Sequence, residues 1–250
     1  FQSFGVQLKY GVDPDYGMHK DLLQDLLLFY SSSQQKPVTL KEYVSRMKED
    51  QKEIYYCSGD SIARIDSLPQ TELVKDKGYE ILYLTDDVDE FALQMLMEYD
   101  GKKFASISAD NADFSTQEEK DQAKQAQESN QSLLDAMKNA LGDKVKEVKV
   151  TTRLKSHPVC LSAAGSLSLE MEKVLNQMPG QQPVKAERVL EINANHPLFA
   201  KLSGLKDSDP DKLKDYTEIL YQQALLLEGL PMDDPAEYVQ KVCKILEEEP

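Results

Sequence analysis

The stretch Thr39-Leu40-Lys41-Glu42-Tyr43-Val44-Ser45-Arg46-Met47-Lys48-Glu49-Asp50-Gln51-Lys52-Glu53-Ile54-Tyr55-Tyr56-Cys57-Ser58-Gly59 holds two opposed local signals. Thr39 followed three residues later by Glu42 is a capping box, and Val38 with Tyr43 falls at the two positions of a hydrophobic staple. A helix therefore starts at residue 40. Glu53-Ile54-Tyr55-Tyr56-Cys57 is then aromatic and β-branched and ends at Ser58-Gly59, which predicts a strand. Helix and strand joined by a short connection make an α/β layer the natural frame.

The same alternation continues downstream. Short helices are predicted near 61–67 and 70–77, a strand over 79–84, and a helix behind the acidic cluster Asp86-Asp87-Val88-Asp89-Glu90 with Phe91, Met95 and Leu96 apolar. Lys103 to Ile107 supplies a third strand, so a small, mostly parallel sheet is expected. Upstream, Leu22, Leu23, Leu26, Leu27, Phe29 and Tyr30 fall at helical spacing and predict one helix over 20–33, buried on most sides.

Residues 108–132 are rich in Ser, Asp, Asn, Gln and Glu and lead into an exposed helix capped by Thr116 and Glu119. Leu133, Leu134, Met137 and Leu141 give that region a docking stripe, and Gly142 stops it. Alternation from Val148 to Leu154 predicts a strand with one wet face. Further strands are expected over 159–164 and 189–193, and helices over 167–178, 211–228 and from 235, where Asp234-Pro235-Ala236-Glu237 is a strong start signal. The expected architecture is a small α/β subdomain over 1–115, then an α+β domain over 116–250 with a helical end.

A formal net charge of -15 repels phosphate backbones and anionic lipid heads, so neither nucleic acid nor a membrane surface is an expected partner. Cys57, Cys160 and Cys243 are far apart and form no CxxC, so neither a disulfide framework nor a zinc knuckle is signalled. With no secretory or membrane-spanning run, a cytoplasmic location is expected. The chain opens on Phe1 rather than Met, as an internal piece of a longer protein would.

Enzyme chemistry finds little support. His157 and Cys160 lie three apart, but a nucleophilic thiol needs a base within reach and a third group to orient it, and a buried structural Cys160 is the expectation. His196 before Pro197 suits a helix cap, and His19 stands alone. There is no HExxH, no GxxxxGK and no GxGxxG, and the 86–90 acids lack calcium-loop spacing.

Other stretches carry a resemblance. Phe4-Gly5, Leu8-Lys9-Tyr10-Gly11, Asp15, Leu26-Leu27-Leu28-Phe29 and Ser31-Ser32 resemble the middle domain of the ninety-kilodalton heat-shock chaperones, and residues 39–56 are similar to that family's most recognisable block. Arg153-Leu154 with Pro158, Ser168-Leu169-Glu170-Met171-Glu172-Lys173, and Leu190-Glu191-Ile192-Asn193 with His196-Pro197-Leu198 resemble its C-terminal domain. Order and spacing agree along nearly the whole chain. The bacterial type is the better match, since no acidic tail with a tetratricopeptide-docking sequence follows Pro250. Leu28 stands where the family usually has Arg, His157 where it usually has Ser, and Trp is absent.

The resemblance implies a segment of a homodimeric, ATP-driven chaperone that binds partly folded client proteins. ATP and magnesium would act in an N-terminal domain of the parent; this piece would carry no catalytic, cofactor or metal residue of its own. A catalytically silent scaffold or adaptor for one dedicated partner is the alternative. The helix over 211–228 carries a wider apolar arc than one packed face requires, and the last helix adds a second stripe. The resemblance implies that together they form an intermolecular four-helix bundle through Leu213, Tyr216, Leu220, Leu227, Tyr238, Val242, Ile245 and Leu246, the alternative being that both helices pack onto their own domain.

Leu167, Met171, Val174 and Leu175 share one helical face. By pattern alone that face is either ordinary core or a displayed surface. The spacing turns Glu170, Glu172 and Lys173 to water, and the permissive flanks Gly165-Ser166 and Pro179-Gly180-Gln181-Gln182 leave the helix loosely held; the resemblance implies that the apolar face meets clients.

Overall fold

The computed structural model describes residues 5–11, 20–112, 114–180 and 182–248. Two compact units emerge: one runs to Ala112 and includes Val174–Gln182, the other covers Asp113–Lys173 and the chain from Pro183.

The first unit contains α1 (Gly5–Tyr10), α2 (Lys20–Leu23), a 3-10 turn (Gln24–Leu26), β1 (Leu28–Ser31), β2 (Pro37–Thr39), α3 (Leu40–Arg46), β3 (Ile54–Ser58), α4 (Ile62–Asp66), α5 (Thr71–Asp76), β4 (Leu82–Leu84), α6 (Asp89–Leu96), β5 (Glu98–Tyr99) and β6 (Lys102–Ser106). The capping box forms: the Glu42 amide donates to Thr39 Oγ1 at 3.1 Å, and the Thr39 amide to Glu42 Oε2 at 2.8 Å. Tyr43, one turn on, is fully buried, and its hydroxyl accepts from the Tyr55 amide (3.0 Å) and Gln51 Nε2 (2.8 Å). This single side chain ties the capped helix to the strand that follows.

The sheet runs β2-β1-β4-β3-β6-β5. β3 is parallel to β4 and β6, whereas β1 is antiparallel to β2 and β4, and β5 to β6. The expected mostly parallel sheet is thus a parallel centre with antiparallel margins. The expected helix over 20–33 is also corrected. It stops at the 3-10 turn, Leu22 and Leu26 are 72% and 54% exposed, and Leu28–Ser31 is a strand that buries Phe29. A tight turn, in which the Ser31 amide donates to Lys36 O at 3.0 Å, folds Pro37–Thr39 back onto it. Strand pairing on both sides of β1 satisfies its backbone and overrides the helical spacing of its side chains. Leu27, Phe29, Val38, Leu40, Tyr43, Ile54, Leu82 and Leu93 lie in the resulting core.

The acidic cluster is not simply a solvated helix start. Asp89 is buried, pairs with the equally buried Lys9, and accepts at Oδ2 from the Thr85 and Asp86 amides, both at 3.1 Å. Lys9 Nζ also reaches Asp86 Oδ2 at 2.9 Å and lies 4.8 Å from the centre of the Phe29 ring.

The second unit comprises α7 (Gln117–Ser129), α8 (Gln131–Leu141), a 3-10 turn (Gly142–Lys144), β7 (Glu147–Val150), β8 (Val159–Ala164), the start of α9 (Leu169–Gln177, of which the residues from Val174 group with the first unit), β9 (Glu187–Ile192), α10 (Pro197–Ser208), α11 (Pro210–Glu228) and α12 (Pro235–Glu248). Its sheet runs β7-β9-β8, with β7 parallel and β8 antiparallel to β9. β7 ends at Val150, short of the expected Leu154, because Arg153 turns in to a buried ion pair with Glu191 at 3.0 Å. α8, α10 and α11 cover the sheet through Leu134, Met137, Leu202, Leu213, Leu220 and Leu225.

Candidate client and assembly surfaces

α9 opens on Ser168, whose Oγ accepts from the Met171 amide at 3.0 Å. Leu169 enters the core of the second unit and Leu167 packs against it. Met171 and Val174 are buried, while Leu167 and Leu175 are half-buried. Two of the four residues of the stripe expected to face clients are therefore buried. Met178, just beyond the helix, is exposed; Gln181 lies outside the described residues.

Glu172 does not turn to water as expected. Its Oε1 accepts from Arg188 Nη2 at 2.7 Å and its Oε2 from the Ala186 amide at 2.9 Å, and both charged side chains are buried. Arg188 Nη1 donates to Tyr221 Oη at 3.0 Å, which links α9, β9 and α11 in one polar network. Burial opposes the guanidinium charge, but Tyr221 and Glu172 outweigh it and raise the Arg188 pKa; for Tyr221, burial itself raises the pKa. Loss of either partner would leave the other charge buried and unpaired, so the pair ties the helix to β9 in spite of its permissive flanks.

The expected assembly residues divide into two groups. Leu213, Tyr216 and Leu220 lie in the second unit's own core in the single chain. Leu227, Tyr238 and Val242 are half-buried, Ile245 is partly buried against the core, and Leu246 is exposed. The apolar surface left open on these helices is Leu226, Val239 and Leu246, with exposures of 47%, 56% and 69%. α11 is long because it serves a core on one side. α12 is amphipathic, and its described residues include no fully buried side chain.

The reactive side chains have structural settings. Cys160 is buried on β8, and burial pushes its thiol well above the ordinary range, which suppresses the thiolate a nucleophile needs. His157 Nδ1 lies 3.1 Å from Ser156 Oγ. His196 is the N-cap of α10, accepting at Nδ1 from the Leu198 amide at 3.2 Å. Asn193 Nδ2 donates to the carbonyls of Lys155 and His157, both at 3.2 Å, and so pins the loop between β7 and β8. His19 lies outside the described residues.

Among the described residues, no three His, Cys, Asp or Glu side chains converge as metal ligands. The positive-φ glycines Gly78, Gly101, Gly142, Gly165, Gly180 and Gly229 stand singly at turns. No helix among the described residues is long and apolar enough to cross a membrane.

A family described as "Hsp90 protein" matches residues 1–249. The chain is 56% identical to "Chaperone protein HtpG" of Clostridium acetobutylicum over 246 residues, which is 98% of this chain and 39% of that protein. Proteins of the same description from Bacillus subtilis and Bacillus licheniformis are 54% and 55% identical over the same 98% and 39%. The chain thus spans about two-fifths of the length of these relatives.

Proposed function

Because the chain belongs to the Hsp90 protein family, we propose that it is the client-binding and self-associating segment of a longer ATP-driven, cytoplasmic chaperone. The observation that carries the reading is the family match along nearly the entire chain, joined to the open apolar positions Leu226, Val239 and Leu246 at its helical end. Residues 1–115 would be the end of a middle domain and 116–250 a C-terminal dimerisation domain.

The partner at the helical end is a second copy of the chain, for which a two-fold bundle of α11 and α12 is the natural closed arrangement. Partly folded clients would meet the α9 stripe of Leu167, Met171, Val174 and Leu175. Met171 suits such a role, being unbranched and polarizable, but contact with it requires α9 to shift from its buried seat. Nucleotide and magnesium would act elsewhere in the longer protein.

Sedimentation equilibrium of the chain, with and without Val239→Glu plus Leu246→Glu, tests the assembly. A dimer at micromolar concentration that the pair of substitutions separates is expected; a monomeric unaltered chain overturns it. Aggregation of several unrelated unfolded substrates, followed with the full-length protein, tests the chaperone. Protection of only one substrate would favour a dedicated adaptor instead. Calorimetric titration of the chain with ATP and magnesium should give no saturable heat.

A further inference from the structure

We propose that Lys241 is an electrostatic latch that seats α12 on α11 and so sets the presentation of the self-association surface. The inference rests on the dimer reading above and adds its control. Three carboxylates converge on Lys241 Nζ: Glu218, Glu237 at 2.8 Å and Asp215 at 3.5 Å. Asp215 and Glu218 belong to α11, Glu237 to α12. Lys244 reaches Asp215 at 3.2 Å from a more open position.

Glu237, Lys241 and Lys244 follow i, i+4, i+7 spacing and define one face of α12. Val239, Cys243 and Leu246 follow the same spacing two residues out of step, about 200° around the helix, and all three are exposed. Seating the charged face on α11 therefore turns the apolar face outward. Tyr238, Val242 and Ile245 lie between the two faces and are half-buried. With no fully buried side chain among its described residues, α12 depends on this cluster more than a core helix would.

Lys241 is 16% exposed, so its interactions are screened less than those of an ordinary surface pair. Its charge is decisive. Without it, Asp215, Glu218 and Glu237 face one another with Lys244 and, along the same groove, Lys144 as the nearby cations, and their repulsion loosens α12 on α11.

The test combines two readouts. In a Val239→Glu plus Leu246→Glu background, which separates the dimer, hydrogen exchange of α12 amides reads the seat alone. Lys241→Gln should speed that exchange at least tenfold, Lys241→Arg should stay within twofold, and Lys241→Gln with Glu218→Gln should recover part of the protection. In the background with Val239 and Leu246 intact, sedimentation equilibrium should show dimer affinity falling at least tenfold for Lys241→Gln. Unchanged α12 exchange in Lys241→Gln overturns the latch, as does faster exchange with unaltered dimer affinity. A monomeric starting chain overturns the dimer reading and the link to assembly, while the exchange arm still decides whether Lys241 seats the helix.

Discussion

Arg188 on β9 donates to Glu172 on α9 at 2.7 Å, with both side chains buried beneath the helix they join. Removing one partner strands the other charge out of water. Glu172→Ala is expected to cost about 3–5 kcal/mol, and Arg188→Met should cost as much. Replacing both with Met should cost far less than the sum, because no buried charge is left. Denaturant titration of the four proteins checks the cycle.

The buried half of the α9 stripe makes a second expectation definite. Met171→Ser with Val174→Ser removes covered apolar surface and should lower stability by at least ~2 kcal/mol, several degrees in melting temperature. This reverses the expectation for a freely displayed face. Leu175→Ser, at a half-buried position, should change stability much less while weakening retention of an unfolded substrate. Differential scanning calorimetry beside a substrate-holding assay separates these effects.

Leu220 and Leu246 should respond differently to the same charge. Leu220 lies in the core, so Leu220→Glu is expected to destabilise the second unit itself by several kcal/mol. Leu246 is exposed, and Leu246→Glu should leave the melting temperature of the monomer within a degree or two while weakening association. Circular dichroism melts and sedimentation equilibrium of the two variants test the contrast.

Asp89 provides a pH signature. Burial pushes its carboxyl up to about 6 despite the opposing pull of Lys9, against 3.8 for the free side chain. Between those values the folded chain holds a proton that the unfolded chain releases. The ionised carboxyl therefore costs stability above pH 6, and that cost is relieved as pH falls from about 6 towards 4. Asp89→Asn should abolish this component of the pH dependence. Urea unfolding at pH 4, 5, 6 and 7 reads the difference between the two curves.

The helix starts were legible because their partners are close along the chain. Thr39 and Glu42, Thr116 and Glu119, and Asp234 with Glu237 each form their bonds within three residues. The family resemblance was legible for the same kind of reason, since its motifs are short and follow in order. β1 was not. Its Leu28-Phe29-Tyr30-Ser31 continues a helical spacing, and only pairing with Pro37–Thr39 and with the more distant Leu82 and Tyr83 makes it a strand.

By itself the sequence determined where most helices begin, which strands alternate with them and to which family the chain belongs. Tertiary structure alone decided which apolar faces are consumed inside the chain and which charges are buried. Glu172 looked like a solvated helix residue because its partner Arg188 lies sixteen positions away and meets it only once α9 docks over β9. Leu213 and Leu246 looked alike as members of apolar stripes, yet one is core and the other open surface. Hydrophobic spacing reports that a face avoids water, but what covers it depends on contacts between elements remote in sequence.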